Sequence, residues 1–304
     1  MYKKDLQLTE KLLAFGAKSD VPLSDMTSFR IGGCASFVIE PKDYPEMTRM
    51  VRFCHENRIP VYLLGRGTNI LAPDSGFSGV VIRFDKPIHS PVWEETHVRA
   101  CAGTSMTQLA RESVTRGLMG MERLCGIPGT VGGACAMNAG AYGSEIKQVL
   151  SRVRVLKDDT DQWIDVDPDQ MGYRKSPFSF PNCIVLEAEF CLYPDDGEAE
   201  RRLKEAVTRR KEKQPIEYPS AGSVFKRPKG SYAGMLIEQC GWKGKSVGGA
   251  KVSEKHAGFI INTGSATERD VLELITQIQQ DVLEKTGFSL ECEIRRMEDG
   301  ECIF

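Results

Sequence analysis

A run of small residues from 124 to 143 constrains this chain more than any other part of the sequence. The run reads LCGIPGTVGGACAMNAGAYG and contains Gly126, Gly129, Gly132, Gly133, Gly140 and Gly143. Glycine loses more chain entropy on folding than other residues, and this run has few large side chains whose burial would offset that loss. We therefore expect either a ligand that approaches the backbone closely or a turn of small residues where two elements cross.

A second loop favours the ligand. Residues 65–70 read GRGTNI and directly follow the apolar run 61–64, which predicts a buried strand that ends at the loop. Loops of this kind bind phosphate oxygens through backbone N–H groups and a Thr or Asn side chain. The loop lacks the GxGxxG spacing of a Rossmann unit and is weak evidence alone. Together with the first run, it indicates one extended ligand with a diphosphate in its middle.

Composition excludes several classes of protein. The 304 residues are long enough for two or three domains, and the formal net charge of -2 argues against a nucleic-acid-binding protein. No apolar run approaches membrane-spanning length, and residues 1–10 lack the apolar segment of a signal peptide. The ten cysteines are scattered without a CxxC pair, so we expect reduced thiols in a cytoplasmic protein and no metal site.

The spacing of apolar residues predicts the elements of the chain. Residues 1–20 are predicted to form a helix, and residues 289–296 to form the last strand. A capping box of Ser265 and Glu268 is predicted to begin the last long helix. The charged stretch from 195 to 213 is predicted to be a solvated helix. The resulting domains are 1–90, 91–196 and 197–304.

Six motifs in one order carry a resemblance to a known family. They are TSFRIGG, GRGTNIL, GIPGTVGGACAMNAGAYG, YRKSPF, AGSVFKRP and LECEIR. Over about residues 27–295 the chain closely resembles the UDP-N-acetylenolpyruvoylglucosamine reductases. The resemblance implies an α+β protein with an FAD-binding fold of the vanillyl-alcohol-oxidase (PCMH) type in two subdomains, followed by an α+β substrate domain. No counterpart of the tyrosine loop found in longer members is apparent, which favours the shorter subclass.

The resemblance also implies an activity. Members of the family reduce UDP-N-acetylglucosamine enolpyruvate to UDP-N-acetylmuramate, a peptidoglycan precursor, with bound FAD and with NADPH as co-substrate. The family's proton donor matches Ser223, its carboxylate-polarising arginine matches Arg174, and its catalytic glutamate matches Glu293. Glu293 either orients Arg174 or, if protonated, donates to the developing enolate, and the sequence leaves both roles open.

Further positions match the family's binding residues. Those matched to FAD are Arg30, Gly65, Arg66, Gly67, Thr68, Asn69, Ile70, Gly126, Ile127, Gly129, Thr130, Val131, Gly133, Asn138 and Gly140. Tyr173, Arg209 and Lys213 match residues that contact the UDP-sugar. Arg227 stands where some members carry Asn, and Arg295 is a further candidate beside Glu293. None of the four histidines is assigned a role, and we expect a monomer.

Other interpretations remain open on the residues alone. Ser223 could be a turn hydroxyl, Arg174 a surface ion-pair partner, and Glu293 a solvent-facing residue of a strand. An FAD-dependent hydroxy-acid or sugar oxidase would share the flavin loops but has no reason to carry YRKS, AGSVF and ECEIR together. A non-catalytic nucleotide-sugar-binding protein would use the glycine runs for packing and would carry no flavin.

Overall fold

The protein, seen here in a computed structural model, is built from three parts. The structure describes residues 6–158, 160–179, 181 and 183–297. In these ranges the α-helices are α1 (Leu6–Ala14), α2 (Tyr44–Glu56), α3 (Met106–Thr115), α4 (Val131–Met137), α5 (Ala199–Lys213), α6 (Ala233–Gln239) and α7 (Glu268–Thr286). Short 3-10 helices cover Leu23–Asp25, Glu122–Gly126, Ile146–Gln148 and Pro168–Gln170.

The first subdomain is a four-stranded sheet with α2 packed against it. The strands of this subdomain are β1 (Lys18–Pro22), β2 (Cys34–Ile39), β3 (Val61–Leu64), the separate short β4 (Ile70–Leu71) and β5 (Phe77–Arg83). The sheet order is β1-β2-β5-β3, with β2, β5 and β3 parallel. Asp43 caps α2 by accepting a hydrogen bond from the N–H of Glu46. Loop 65–69 therefore begins at the carboxyl end of a parallel strand, where ligands bind in such units.

The second subdomain is an antiparallel sheet that carries the glycine-rich run. Its strands are β6 (Val92–Glu94), β7 (His97–Cys101), β11 (Leu150–Lys157), β12 (Thr160–Asp165) and β13 (Ile184–Cys191), in the order β12-β11-β13-β7-β6. Two short pairs flank the sheet, β8 (Leu118–Met119) with β14 (Tyr193–Pro194) and β9 (Gly140–Ala141) with β10 (Ser144–Glu145). The glycine-rich run forms a 3-10 turn, α4 and β9, so it presents backbone rather than large side chains.

The C-terminal part packs α6 and α7 on a third sheet. Its strands are β15 (Ser220–Ser223), β16 (Ser246–Val247), β17 (Ala250–Val252) and β18 (Phe259–Asn262), in the order β15-β18-β17-β16. The predicted capping box of α7 is wrong by two positions, because Thr267 and Asp270 form it. The Ser265 position lies in the turn before the helix, where Asn262 Oδ1 accepts the N–H groups of Gly264 and Ala266.

Two other sequence predictions are wrong at their ends. The helix predicted for residues 1–20 ends at Ala14, because Gly16 adopts φ +83° and β1 then pairs with β2; residues 1–5 lie outside the described ranges. The strand predicted for residues 289–296 contains only β19 (Arg295–Arg296), which pairs in parallel with β4. The residues before β19 lead from the C-terminal part, where Cys292 forms an isolated β-bridge with Phe225, to the first subdomain.

The C-terminal part is joined firmly to the first subdomain. Phe29, Ile31 and Leu71 of the first subdomain lie in the same buried cluster as the apolar residues of α6 and α7. In contrast, α5 packs on the second subdomain, where Arg202 forms an ion pair with Glu122 at 2.8 Å. The domain ranges 1–90, 91–196 and 197–304 stay a prediction. The predicted ranges place α5 in the last domain, whereas its contacts are with the second subdomain.

Candidate active site

A cleft of about 1530 Å³ lies where the three parts meet. A cleft at a domain junction that is lined by convergent polar groups is a common ligand site. Of the residues predicted from sequence, it is lined by Arg30, Gly65, Arg66, Gly67, Thr68, Asn69, Ile70, Gly126, Ile127, Gly129, Thr130, Gly133, Gly140, Arg174, Ser223 and Glu293. Val131, Asn138, Tyr173, Arg209 and Lys213 are not among the lining residues.

Loop 65–69 has the features of a diphosphate cradle. The N–H groups of Arg66, Gly67 and Thr68 have no acceptor within the part of the chain that the structure describes. Gly67 adopts φ +60°, and a Cβ there would lie 2.4 Å from the carbonyl oxygen of Met26. A Cβ on Gly65 would lie 2.7 Å from Thr130 Oγ1. Backbone N–H donors that line the cleft and have no protein acceptor fit the diphosphate of a flavin nucleotide.

The other wall of this cradle is the start of α4. Thr130 caps the helix by accepting the N–H of Gly133, while the N–H of Val131 donates to Thr104 O. The N–H of Gly132 donates to Ala102 O, so these groups are already satisfied by protein. Val131 is buried and faces the core. The turn therefore contributes Gly129, Thr130 and Gly133 to the cleft, while its neighbouring residues anchor it.

Asn138 is buried and acts as a structural connector. It adopts φ +41° at the end of α4, and its Nδ2 donates to Glu145 Oε2 at 3.0 Å and to Gly172 O at 2.9 Å. Its Oδ1 accepts the N–H of Lys147 at 3.2 Å. All of its amide groups have partners from the protein, so Asn138 fixes the turn that carries Tyr173 rather than contacting the cleft.

Arg174 and Glu293 form the central ion pair of the cleft. Gly172 and Lys175 exchange two backbone hydrogen bonds and close a tight turn, in which Arg174 takes the left-handed conformation at φ +55°. Arg174 Nε donates to Glu293 Oε1 at 2.7 Å, and their side chains are 21% and 10% exposed. Arg174 Nη1 also donates to Gly140 O at 3.3 Å. The guanidinium is thus held by a carboxylate and by the glycine-rich run.

Glu293 is fixed by three elements. Its N–H donates to Val224 O at 2.7 Å, and its carbonyl oxygen accepts Asn69 Nδ2 at 3.1 Å. Its second carboxylate oxygen accepts the hydroxyl of Tyr173 at 3.3 Å. Both carboxylate oxygens therefore accept hydrogen bonds, one of them from a cation.

Ser223 ends β15 on the same cleft. It lies opposite Phe259 of β18 and follows Gly222, which adopts φ +80°. Its hydroxyl makes no hydrogen bond with any residue in the described ranges. The cleft therefore brings together a free hydroxyl, a guanidinium and a carboxylate that come from three separate stretches of sequence.

The basic helix α5 places Arg210 on the cleft, whereas the sequence predicted Arg209. Arg209 lines a separate surface depression, and Lys213 is exposed, whereas Arg210 lines the cleft and donates to Gly126 O. Burial lowers the pKa of Arg210 from its usual value. Sequence reasoning missed Arg210 and its neighbour Tyr142, whose pKa is raised by burial. The spacing of the buried Leu203 and Ala206 would have indicated Arg210, since it lies on the same helix face.

Further cations lie around the mouth of the cleft. Arg30, which is exposed and adopts φ +55°, lines it together with Arg227 and Arg295. The guanidinium of Arg227 lies 4.7 Å from the ring centre of Tyr232. No cluster of three or more His, Cys, Asp or Glu suited to a metal ion occurs among the described residues. Within the same ranges, no helix is long and apolar enough to span a membrane.

Two family models match the stretches of sequence that supply the residues of this cleft. Residues 35–164 match the FAD binding domain family, and residues 214–297 match the C-terminal domain of UDP-N-acetylenolpyruvoylglucosamine reductase. The enzyme of that name from Clostridium botulinum (strain Hall) is 44% identical over 278 residues, which cover 91% of this chain and 90% of the relative. Its counterpart from Caldanaerobacter subterraneus subsp. tengcongensis is 45% identical over 276 residues, or 90% of this chain and 91% of the relative.

A solved structure agrees with these sequence matches. The UDP-N-acetylenolpyruvylglucosamine reductase of Thermus caldophilus superposes with a TM-score of 0.77 at 34% identity, over 93% of this chain and 99% of that one. The predicted fold class is confirmed: an FAD-binding fold of the vanillyl-alcohol-oxidase type precedes a C-terminal α+β domain. The chain belongs to the UDP-N-acetylenolpyruvoylglucosamine reductase family.

Proposed function

We propose that this protein reduces UDP-N-acetylglucosamine enolpyruvate to UDP-N-acetylmuramate, using FAD as bound cofactor and NADPH as co-substrate, in the synthesis of peptidoglycan precursors. The observation that carries the proposal is the Arg174–Glu293 pair, 2.7 Å apart, in the same cleft as Ser223 and the diphosphate cradle at 65–69. This arrangement offers one place for a flavin nucleotide and one for an unsaturated carboxylate.

Arg174 meets the first demand of the reaction. FAD held by loop 65–69 would supply the redox chemistry, by which a hydride from NADPH would reach the vinyl carbon distal to the substrate carboxylate. Negative charge then develops on that carboxylate and on its α-carbon. A guanidinium stays charged when it is partly buried and can bind two carboxylate oxygens in one plane. The contacts of Arg174 with Glu293 and Gly140 hold it in advance, so little reorganisation is needed when the charge appears.

Ser223 meets the second demand, a proton for the α-carbon. A serine hydroxyl is a weak acid in water, so it transfers a proton only to a strongly basic centre in a site that excludes water. Its hydroxyl is not committed to any described residue, which leaves the proton available. Hydride at one carbon and proton at the other together saturate the double bond.

Glu293 serves best as the residue that orients Arg174. Its carboxylate accepts from Arg174 and from Tyr173, and a protonated acid would lose the charge that stabilises the guanidinium. Tyr173 in turn accepts the N–H of Arg227, which connects the pair to the rim of the cleft. We assign the diphosphate of the UDP-sugar to cations near this rim, with Arg210 a stronger candidate than Arg209 because Arg210 lines the cleft.

We propose further that the enzyme acts in the cytoplasm as a monomer on small-molecule substrates. Nine cysteines in the described ranges carry free thiols, which suits a reducing compartment. Size-exclusion chromatography with light scattering tests the monomer, and fractionation of cells tests the compartment.

The proposed reaction is tested by following the flavin anaerobically. The purified protein is bleached with NADPH and then mixed with UDP-N-acetylglucosamine enolpyruvate, and we expect rapid return of the oxidised flavin spectrum with formation of UDP-N-acetylmuramate. A protein that bleaches but reoxidises only with oxygen would instead be an oxidase of the same fold. A colourless protein that cannot be reconstituted with FAD would contradict the whole proposal.

A further inference from the structure

His256 closes the turn that connects β17 to β18. Its Nδ1 accepts the N–H of Gly258 at 3.0 Å, and the backbone N–H of His256 donates to Ser253 Oγ at 3.3 Å. The N–H of Phe259 donates back to His256 O at 3.0 Å, and that of Ser253 donates to Phe259 O at 2.9 Å. The imidazole therefore completes a closed hydrogen-bonded turn, although the sequence alone gave this residue no role.

The imidazole occupies a niche formed by two glycines. A Cβ on Gly234 of α6 would lie 3.1 Å from the imidazole Cε1, and a Cβ on Gly258 would lie 3.0 Å from the same atom. The Phe259 ring meets the imidazole edge to face, with ring centres 5.0 Å apart. Gly234 is the second residue of α6, and its lack of a side chain leaves room for the imidazole.

Backbone hydrogen bonds lead from this turn to both catalytic candidates. Gly258, held by the imidazole, accepts the N–H of Val224 at 2.9 Å through its carbonyl oxygen. Val224 follows Ser223 in the chain, and its carbonyl oxygen accepts the N–H of Glu293 at 2.7 Å. Phe259, the residue after Gly258, pairs with Ser223 across the sheet and lines the cleft. The imidazole therefore holds Gly258, the residue next to the strand partner of Ser223.

We propose that His256 is a positioning residue for the proton-transfer step: by accepting the Gly258 N–H through Nδ1, it fixes the end of β15 and holds the Ser223 hydroxyl over the substrate. This inference rests on the proposed function, because it concerns the step assigned to Ser223. It predicts a defect confined to reoxidation of the flavin by substrate, since reduction by NADPH needs no proton from Ser223.

The proposal also predicts a pH dependence, because the hydrogen bond to Nδ1 depends on the protonation state of His256. Nδ1 accepts a hydrogen bond only in the neutral ring, because both nitrogens of the cation are donors. Burial lowers the pKa of His256 and outweighs a backbone hydrogen bond that raises it. Lys243 lowers this pKa further and Glu238 raises it, and these two residues form an ion pair with each other at 2.7 Å. On its own loop, Glu254 and Lys255 point to other partners, Lys251 and Glu217. The ring is therefore neutral at pH 7 and becomes charged only as the pH falls through its lowered pKa.

Two substitutions separate the acceptor from the ring. His256→Asn keeps an acceptor, since an Asn side chain can bond the N–H two residues ahead as in an Asx turn, but it loses the ring. His256→Phe keeps the ring and loses the acceptor. We expect H256F to slow substrate-driven reoxidation by about tenfold, near the loss of one hydrogen bond, with NADPH bleaching within about twofold of wild type. We expect H256N to reoxidise within about threefold of wild type.

The matched controls are His97→Asn and His97→Phe, because His97 is an exposed histidine on β7 that does not line the cleft. Both are expected to behave as wild type in each half-reaction. Wild-type reoxidation should also fall at acid pH as His256 becomes protonated, and H256N should lack that fall. The pH profile of H256N decides the matter even if H256F fails to fold.

Each outcome bears on one claim. Normal reoxidation in H256F, an equal loss of both half-reactions, or an acid limb that persists in H256N would overturn the role of His256. Wild-type enzyme that is not reoxidised by the UDP-sugar would instead overturn the proposed function. Ser223→Ala is the benchmark, and the defect of H256F should lie in the same half-reaction as that of S223A.

Discussion

The two sides of the cleft are built from different parts of the polypeptide. On the cofactor side, loop 65–69 offers backbone N–H groups without protein acceptors, and Gly65 and Gly67 let the loop pack closely on Thr130 and Met26. On the chemical side, Arg174, Ser223 and Glu293 line the cleft, and Arg174 and Glu293 are joined through their side chains. A site made of backbone is sensitive to added atoms, whereas a site made of side chains is sensitive to removed or altered groups. Changes on the first side should affect folding and flavin binding, and changes on the second should affect turnover.

One residue links the two sides. Asn69 lies in the cofactor loop, and its Nδ2 donates to Glu293 O while its own carbonyl oxygen accepts the N–H of Arg295. The short β4 and β19 then continue this contact as a parallel pair. Hydrogen bonds from Asn69 and the β4–β19 pair therefore set the distance between loop 65–69 and Glu293, and the two sides can be tested one at a time.

The largest effect is expected from Ser223→Ala. Loss of a general acid typically lowers a rate by about 10²–10⁴-fold, and we expect that loss in the reoxidation of reduced flavin by the UDP-sugar. Bleaching by NADPH and the flavin content should not change, because the hydroxyl has no described partner in the fold. Stopped-flow absorbance of each half-reaction measures both. Ser220→Ala on the same strand is the control, and equal rates for the two variants would remove Ser223 from the mechanism.

Arg174→Lys is expected to be next in size. Lysine keeps the charge but loses planar binding of the carboxylate, and loss of one such stabilising group costs about 10²–10³-fold in kcat. Glu293→Gln should cost less, about tenfold, if the carboxylate only orients Arg174. A loss in E293Q as large as that in S223A would instead assign the proton to Glu293. Steady-state kcat, compared with the flavin content of each variant, distinguishes these outcomes.

Much of the cofactor side could be predicted from sequence because its signals are local. The apolar run before loop 65–70 and the density of glycine in 124–143 each follow from a few consecutive residues, and both lie on the cleft. The same local reasoning failed for residues 289–296, which read as one strand by alternation. Their N–H and C=O groups instead bond Val224 and Asn69, two partners distant in sequence that no local pattern encodes.

The chemical side was predicted as a set of residue types but not as an arrangement. The pairing of Arg174 with Glu293 depends on a turn in which an arginine adopts a positive φ, and nothing in its own sequence requires that. No sequence pattern indicates the role of His256, because Gly234, which borders its ring, lies in a different element. Asn138 was assigned to the cofactor by its motif, but it is buried with its amide fully bonded inside the second subdomain.

On the cofactor side, Gly67→Ala should lower both stability and flavin retention. An alanine in the left-handed region costs about 1–2 kcal/mol, and here its Cβ would also lie 2.4 Å from Met26 O. Gly230→Ala is the matched control, because Gly230 adopts φ +82° with nothing within 4 Å of the added Cβ. Chemical denaturation and the ratio of flavin to protein absorbance measure the two effects. Equal destabilisation of both variants, with flavin retained, would show that the close approach at Gly67 is unimportant.

The smallest effect is expected on substrate binding, where sequence and structure favour different arginines. Arg210→Gln should raise KM for the UDP-sugar by about tenfold with kcat little changed, because a half-buried cation beside the cleft contributes equally to ground and transition states. Arg209→Gln should stay within about twofold, since Arg209 lines a depression on the other face of α5. Arg210 also donates to Gly126 O, so the flavin content of R210Q must be shown to be normal before its KM is interpreted. A larger KM for R209Q than for R210Q would return the diphosphate to Arg209 and would mean that α5 presents a different face to the substrate.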